Sequence, residues 1–354
     1  MSAPTPTPAG MTTPASTPAA ESGPKEWAVS GRPLPAPELL RPALDADLPA
    51  YEPRSRVDGT IRGTCTDVLP FLVSRWATSF ARFHPKARLD VPPPYGGGPG
   101  AKRLIERDAD FSLQSRELRP VDLEAFRVAS GHDPLLIPVG AGSWRHHGFL
   151  DALTVIVHES NPLARISYRQ LDALLSRTRH RGGAPIRTWD QLGLGGEWRG
   201  APIKAWVPRP WNGYEEFVRQ RVLSVGSARG EWREDLSFAD LVIPIAGHVA
   251  KDRLSLGYTG MAFLSDGVRS VAIAEKDEGP FLAPTQVDVA RGAYPLSRVF
   301  YLVAERAPGA ALNAAVAELA RFILSREGQR DVLEHGIFDP LRADAVRRSL
   351  ALLD

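Results

Sequence analysis

Three stretches in the last quarter of the chain decide its fold: Tyr294-Pro-Leu-Ser-Arg-Val-Phe-Tyr-Leu-Val303, Phe322-Ile-Leu-Ser-Arg-Glu-Gly-Gln329 and Gly336-Ile-Phe-Asp-Pro-Leu341. The first is rich in aromatic and β-branched residues, which predicts a strand. The second carries apolar residues at the spacing of an amphipathic helix. Gly and Pro in the third mark a turn out of that helix. A strand followed by a helix of this kind is typical of an α/β protein.

The same alternation of strands and helices extends back along the chain to Val57. Residues 88–91 and 150–158 have the composition of strands, and residues 68–83 carry apolar side chains at helical spacing. A glycine-rich loop at 96–100 leads into a further predicted helix. Strands that alternate with helices favour a mostly parallel sheet flanked by helices.

The composition excludes several classes of protein. The 354 residues are enough for two domains, and a net charge of +2 gives no electrostatic reason to expect nucleic acid or a membrane surface as partner. Cys65 is the one cysteine of the sequence, so an intrachain disulfide and a thiolate zinc site are excluded. The eight histidines form no metal-binding motif. We therefore expect no metal, no cofactor and no enzymatic activity.

The N-terminal region differs in composition from the rest. Residues 1–56 hold twelve of the 32 prolines, mixed with Thr, Ala and Ser, and this predicts an extended tether. The part from 39 to 56 has enough Leu and Tyr to lie against the folded body. The first 25 residues lack the apolar core of a signal peptide.

The order of the motifs resembles that of the phosphate-type solute-binding proteins of ABC importers. Besides the C-terminal motifs, similar elements occur at residues 109–116 (ADFSLQSR), 151–176 (DALTVIVHESNPLARISYRQLDALLS), 186–193 (IRTWDQLG) and 254–273 (LSLGYTGMAFLSDGVRSVAI). Each element alone is a weak signal, but together they run in family order from about residue 57 to 341.

The resemblance implies the type II periplasmic-binding-protein fold, an α/β fold of two lobes with mixed sheets and a ligand cleft between them. Residues 57–149 and 274–354 would form the outer lobe and residues 150–273 the inner lobe. The chain would cross between lobes near 145–152 and 270–277. The implied protein is a periplasmic monomer that captures phosphate or a related oxyanion and delivers it to an ABC permease.

Four loops are candidates for the anion site, because backbone N–H groups at helix N-termini and hydroxyl donors hold anions well. The first loop, residues 63–67 (GTCTD), resembles a ligand loop of the family. Thr66 and Asp67 either cap the following helix or contact the ligand. By the same resemblance, Asp67 would accept the proton that distinguishes phosphate from sulfate.

The second and third loops belong to the same predicted lobe. Gly97 lies where the family has a serine in its GGSxxG loop, so backbone donors alone remain there; a tight turn without ligand is the alternative. Ser115 matches the serine of the family's SR dipeptide, and it is the best-preserved element of the site. Arg116 after it is either part of the site or the partner of a structural ion pair.

The fourth loop, residues 209–214 (RPWNGY), replaces the family's R…SGT before a helix. Arg209 would neutralise the anion, and Asn212, Gly213 and Tyr214 would supply donors from the helix start. Because three of the four loops depart from the family pattern, a second reading stays open. It is a scaffold or sensor on the same fold with an altered or degenerate pocket.

Overall fold

The computed structural model describes residues 43–145, 150–210 and 213–354, and these form two five-stranded sheets, one two-stranded sheet and surrounding helices. The strands are β1 Gly59–Cys65, β2 Ala87–Asp90, β3 Phe111–Gln114, β4 Leu135–Ala141, β5 Leu153–His158, β6 Arg165–Ser167, β7 Lys204–Pro208, β8 Ser237–Ala239, β9 Ser255–Gly260, β10 Val268–Ser270, β11 Ala272–Ala274 and β12 Val299–Ala304. The helices are α1 Pro70–Ala81, α2 Gly97–Ile105, α3 Pro120–Ser130, α4 Tyr168–Leu175, α5 Gly213–Val218, α6 Ile245–Val249, α7 Gln286–Ala290, α8 Ala314–Ile323, α9 Arg326–His335 and α10 Ala343–Ala351.

The first sheet has the strand order β2-β1-β3-β12-β4. β1 runs parallel to β2 and β3, and β12 runs antiparallel to both β3 and β4. The carboxyl ends of β1 to β4 and the start of β12 therefore lie on one side of the sheet, which we call the first edge. The N-termini of α1, α2 and α3 follow strands that end there.

The second sheet has the order β10-β5-β9-β7-β8. β7 is parallel to β8 and β9, whereas β5 is antiparallel to β9, with Leu153 opposite Gly260. The carboxyl ends of β7, β8 and β9 and the start of β5 form the second edge. Each sheet has its own apolar core, with Trp76, Phe300 and Phe322 fully buried in the first and Trp189 and Tyr258 in the second.

Two segments join the sheets and pair with each other. Gly142 N–H donates to Arg298 O at 2.8 Å, and Leu153 N–H donates to Leu296 O at 3.1 Å. The first segment runs between β4 and β5, where the sequence predicts a crossing at 145–152, and residues 146–149 within it lie outside the described residues. The second segment comes just before β12.

The position of this second segment corrects the predicted crossing at 270–277. β11 pairs with β6, and Val289, Tyr294 and Leu296 are buried in the core of the second sheet. Residues 275–296 thus pack with the second half of the molecule. The division into two lobes remains our proposal, with the second boundary at about residue 297 instead of 274.

The C-terminal motif forms two helices where the sequence predicted one. Ser325 breaks the pattern and caps α9, since its hydroxyl accepts from Gly328 N–H at 3.3 Å. A Cβ at Gly328 would lie 2.3 Å from Phe322 O, so glycine permits this close turn. Gly336, with φ of 79°, ends α9 in the left-handed conformation.

The chain before β1 also belongs to the fold. Leu48 and Tyr51 are buried, and the Tyr51 hydroxyl donates to Glu318 Oε1 at 2.7 Å and lies 2.7 Å from His84 Nε2. The predicted tether therefore ends before residue 48 rather than at 56, and residues 1–42 lie outside the described part. Among the described residues, every helix is too short or too polar to cross a bilayer.

Candidate functional site

Thr66 lies at the first edge, one residue beyond β1. Its backbone N–H donates to Leu113 O at 3.0 Å, and its side chain is only 3% exposed. Its Oγ1 is buried without a hydrogen-bond partner. α1 begins at Pro70 and has no side-chain cap, so Thr66 does not serve as the cap that the sequence left open. Its hydroxyl is free for a ligand.

The start of α2 lies beside Thr66. Gly96 N–H donates to Cys65 O at 3.0 Å, which ties the glycine loop to the end of β1. A Cβ at Gly97 would lie 3.8 Å from Thr66 Cγ2, 3.1 Å from Gln114 Oε1 and 3.4 Å from Arg116 Nη2. No side chain caps α2, and the first N–H groups of a helix have no acceptor within it.

Gly100 explains why this loop is built from glycine. A Cβ at Gly100 would lie 2.9 Å from both Thr64 Oγ1 and Ser112 Oγ, and 3.0 Å from Gln114 Nε2. Gln114 Nε2 in turn donates to Gly97 O at 3.2 Å. The absence of a side chain therefore lets α2 pack closely on β1 and β3.

Ser115 and Arg116 follow β3 at the same edge, and both are half-buried. Arg116 Nη1 donates to Glu117 O at 3.0 Å, and no carboxylate among the described residues forms an ion pair with it. Burial lowers the pKa of Arg116, and the positive charges of Arg119 and Arg298 lower it further, against the opposing effect of Asp122 and Glu216.

Asp67 and Arg209 differ from this cluster in that both are exposed. Arg209 Nε forms an ion pair with Asp240 Oδ1 at 2.5 Å, and the two side chains are 63% and 84% exposed. The structure thus places the predicted anion-binding arginine on the surface, apart from Thr66 and Gly97. Asn212 lies outside the described residues.

Tyr214 has a different role from the one that the sequence predicted. Its hydroxyl donates to Asp151 Oδ1 at 2.6 Å, and Ala262 N–H donates to Asp151 Oδ2 at 3.0 Å. Burial raises the pKa of Asp151, and these two hydrogen bonds oppose that rise. The hydroxyl of Tyr214 therefore holds a buried carboxylate rather than replacing the family's threonine as a ligand donor.

The first turn of α5 is occupied by acidic side chains. Glu215 Oε1 accepts from Arg219 Nε at 2.6 Å and from Trp232 Nε1 at 2.5 Å. Glu216 pairs with both terminal nitrogens of Arg229 at 2.7 Å. Gly213 begins this helix, which has six residues. These carboxylates are engaged by arginine and tryptophan side chains, and the two residues directly before α5 lie outside the described part of the chain.

Arg298 lies in the C-terminal strand motif, but the sequence analysis assigned it no role. It is 6% exposed, and its Nε has no hydrogen-bond partner. Its Cζ lies 5.3 Å from the ring centre of Tyr214 and 5.1 Å from that of Phe217. The sequence feature that could have identified Arg298 is the presence of a charged residue in an otherwise largely apolar strand motif.

Polar contacts hold the two edges against each other. Arg221 Nη2 lies 2.8 Å from Glu117 Oε1, which also accepts from the Tyr301 hydroxyl at 2.9 Å. Gln220 Nε2 donates to Leu118 O at 3.3 Å. The loop that carries Ser115 and Arg116 thus continues directly into the contact with the second half. Among the described residues, no group of three His, Cys, Asp or Glu side chains could hold a metal ion.

Comparison with known proteins agrees with this architecture. The model of a family described as a PBP superfamily domain matches residues 50–327. The phosphate-binding protein PstS of Pseudomonas aeruginosa is 28% identical over 309 residues, which cover 87% of this chain and 91% of that protein.

Two solved structures share the fold at low sequence identity. PstS from Borrelia burgdorferi has a TM-score of 0.53 and 13% identity, covering 80% of this chain and all of that one. An ABC-type phosphate transport receptor from Vibrio cholerae has a TM-score of 0.51 and 16% identity, covering 79% and 99%. The predicted fold class, two mixed α/β halves with flanking helices, is confirmed.

Proposed function

The chain belongs to the PBP superfamily, and we propose that it is a solute-binding protein that captures phosphate or a related oxyanion for an ABC importer. The relatives that support this are named as phosphate-binding or phosphate-transport proteins. The protein would act in the periplasm as a monomer and hand its ligand to a permease in the inner membrane. Its role would be capture rather than chemical conversion.

One observation carries the proposal: the first edge holds donors that have nothing to bind within the described structure. The buried Thr66 hydroxyl has no partner and lies beside the uncapped start of α2. Buried polar groups are nearly always hydrogen-bonded, so an orphaned hydroxyl next to free helix N–H groups indicates a missing acceptor. An oxyanion satisfies both, and the helix dipole favours its charge.

The remaining first-edge residues complete this site. Ser115 lies one residue after β3 and would add a hydroxyl donor, and the partly desolvated Arg116 would supply charge. From the sequence-predicted set we keep Thr66, Gly97 and Ser115, and we leave Arg209 and Tyr214 out because other residues engage their side chains. Asp67 as the proton acceptor remains a hypothesis.

Binding would work by shifting a conformational population. The loop of Ser115 and Arg116 runs into Glu117, whose carboxylate contacts Arg221 of the second half and Tyr301 of its own half. A ligand held by that loop adds contacts that exist only when the halves are together. It therefore stabilises the closed form by the difference in its affinity for the two forms.

The direct test is calorimetry and thermal unfolding of the phosphate-free protein with phosphate, sulfate, a phosphonate and a sugar phosphate. A ligand at one hundred times its Kd stabilises the folded state by about 2.7 kcal/mol, which raises the melting temperature. We expect that shift with phosphate or one of the related oxyanions. No stabilisation by any of the four at millimolar concentration would refute the proposal.

The alternative, a scaffold or sensor without transport function, has one observation in its favour. The second edge offers neither Arg209 nor the Tyr214 hydroxyl to a ligand. If the purified protein binds none of the four anions, this alternative becomes the better account. Capture of a small anion with micromolar or tighter affinity would remove the reason for it.

A further inference from the structure

We propose that Arg298 is the second cation of the anion site and reaches it from the segment that joins the two halves. The inference rests on the proposed function, since it assigns a residue to that same site. It replaces Arg209, which the family pattern would place there, by a residue of the C-terminal strand motif to which the sequence analysis gave no ligand role.

The first argument is the environment of the Arg298 side chain. It is 6% exposed, its Nε is buried without a partner, and no carboxylate among the described residues lies within ion-pair distance of it. Two aromatic rings lie near its guanidinium, but a buried charge without a counter-ion is costly in a protein interior. Such a group persists where a ligand supplies the missing counter-charge.

The second argument is position. Arg298 directly precedes β12, whose first residue, Val299, lies opposite Ala141 at the first edge. Its own carbonyl accepts from Gly142 N–H, so its backbone is fixed within the paired joining segments. Its guanidinium lies close to the rings of Tyr214 and Phe217, which come from the second half. The side chain is therefore held between the two edges.

The third argument is the nearby charge. Burial is the main cause of the lowered pKa of both Arg116 and Arg298, and the positive charge of Arg298 lowers that of Arg116 slightly further. An anion bound near two partly desolvated cations would stabilise both.

The carboxylates nearest to Arg298 are engaged elsewhere. Asp151 accepts from Tyr214 and from Ala262 N–H, and Oε1 of Glu117 is bound by Arg221 and Tyr301. Both carboxylates favour the charged form of Arg298 from a distance, but neither forms an ion pair with it. A small anion from solvent would supply a counter-ion. A tetrahedral oxyanion with two negative charges fits two guanidinium groups and hydroxyl donors.

The experiment compares four single variants of the full chain with wild type by calorimetric titration with inorganic phosphate and by thermal unfolding in its absence. Arg298→Met removes the charge but keeps much of the side-chain volume, and Arg298→Lys keeps the charge but removes the planar fork. Arg209→Met tests the competing arginine. Arg348→Met is the matched control, because Arg348 is exposed on α10 and pairs only with Asp344.

We expect Arg298→Met to raise the Kd for phosphate at least tenfold. Its melting temperature without phosphate should equal or exceed that of wild type, because an unpaired buried charge has been removed. A merely structural arginine would lower that temperature instead. Arg298→Lys should weaken binding less than Arg298→Met does, while Arg209→Met and Arg348→Met should match wild type.

Two results would overturn the inference while leaving phosphate capture intact: wild-type affinity in Arg298→Met, or a tenfold loss in Arg209→Met with none in Arg298→Met. If Arg298→Met fails to fold, the role is structural unless folded Arg298→Lys shows weaker phosphate binding at an unchanged melting temperature. If wild type itself binds no phosphate, the proposed function fails first, and that outcome is separate.

Discussion

The first and second edges of this molecule have similar strand arrangements but opposite polar chemistry. At the first edge, the Thr66 hydroxyl, the start of α2 and the Arg116 guanidinium have no side-chain partners among the described residues. At the second edge most of the polar side chains described above have partners: Tyr214 with Asp151, Glu215 with Arg219 and Trp232, Glu216 with Arg229, and Arg209 with Asp240, although the buried Tyr258 hydroxyl of β9 has none among the described residues.

This contrast predicts which mutations lower the stability of the protein and which lower its affinity for the ligand. Where polar groups bind one another, removal of one leaves another buried without its partner, which costs stability. Where polar groups have no partner, removing one changes the stability of the ligand-free protein little and lowers its affinity for the ligand. Mutations at the two edges should therefore fall into two classes, and the following four tests are arranged from the largest expected effect to the smallest.

The largest effect is expected from Glu215→Gln at the second edge. Glu215 is 1% exposed and holds the buried Arg219, so the change leaves that cation with the partly exposed Glu231, 3.3 Å away, in place of a buried counter-charge. We expect a loss of about 3–5 kcal/mol in the free energy of unfolding, measured with urea. The control Asp344→Asn breaks an exposed ion pair and should cost less than about 1 kcal/mol. Equal losses in the two variants would contradict the contrast.

The second test is the pH dependence of Asp339, which joins the first edge through a hydrogen bond from its N–H to Gly142 O at 3.2 Å. Burial raises its pKa from 3.8 to about 7, and its Oδ2 has no partner. The folded state therefore holds the proton more tightly than the unfolded state. Stability is lost as the pH rises from about 4 to about 7 and is level above that.

Asp339→Asn removes this titration. Urea unfolding should show a variant that is more stable than wild type at both pH 5 and pH 8, with the larger advantage at pH 8. Between these two pH values the advantage should grow by about 2–4 kcal/mol, since one pKa unit corresponds to roughly 1.4 kcal/mol. A wild-type-to-variant difference that is the same at both pH values would show that the carboxyl is not buried as described.

The third test is Thr66→Val, which removes the orphaned hydroxyl of the first edge. Phosphate affinity should fall by about 1.5–3 kcal/mol, or at least tenfold, because a hydrogen bond to a charged ligand is lost. Stability without ligand should stay level. The matched control is Thr64→Val, whose hydroxyl donates to Ser112 Oγ at 2.7 Å, and which should lose stability instead. If Thr66→Val lost stability while Thr64→Val lost phosphate affinity, the assignment of Thr66 to the site would be refuted.

The smallest effect is expected from Arg209→Ala. Because the Arg209–Asp240 pair is largely exposed, its loss should change stability by less than about 1 kcal/mol and leave phosphate affinity unchanged. Calorimetry and urea unfolding measure both quantities. A tenfold loss of affinity would return Arg209 to the site and show that the second edge rearranges around the ligand.

Much of the fold was predictable from local patterns. The continuous apolar run at 150–158 is β5, the aromatic strand motif is β12, and the glycine loop does lead into α2. We propose the second boundary at about residue 297 instead of the predicted 274, because β11 pairs with β6, more than a hundred residues earlier. A strand of three residues does not reveal its partner in the sequence. The sequence did not predict the break at Ser325, because the apolar spacing continues across this serine as it would in one continuous helix.

The candidate site was less predictable, and the reason is physical. The sequence by itself determined the strand and helix order, the class of the protein and the loops that meet at the first edge, because apolar periodicity and glycine placement are local properties. Only the tertiary structure decided which side chains are free to bind. Arg209 and Arg298 look alike in sequence, but one reaches an exposed aspartate while the other is buried between two rings. Partner choice depends on neighbours distant in the chain, so no local pattern could distinguish them.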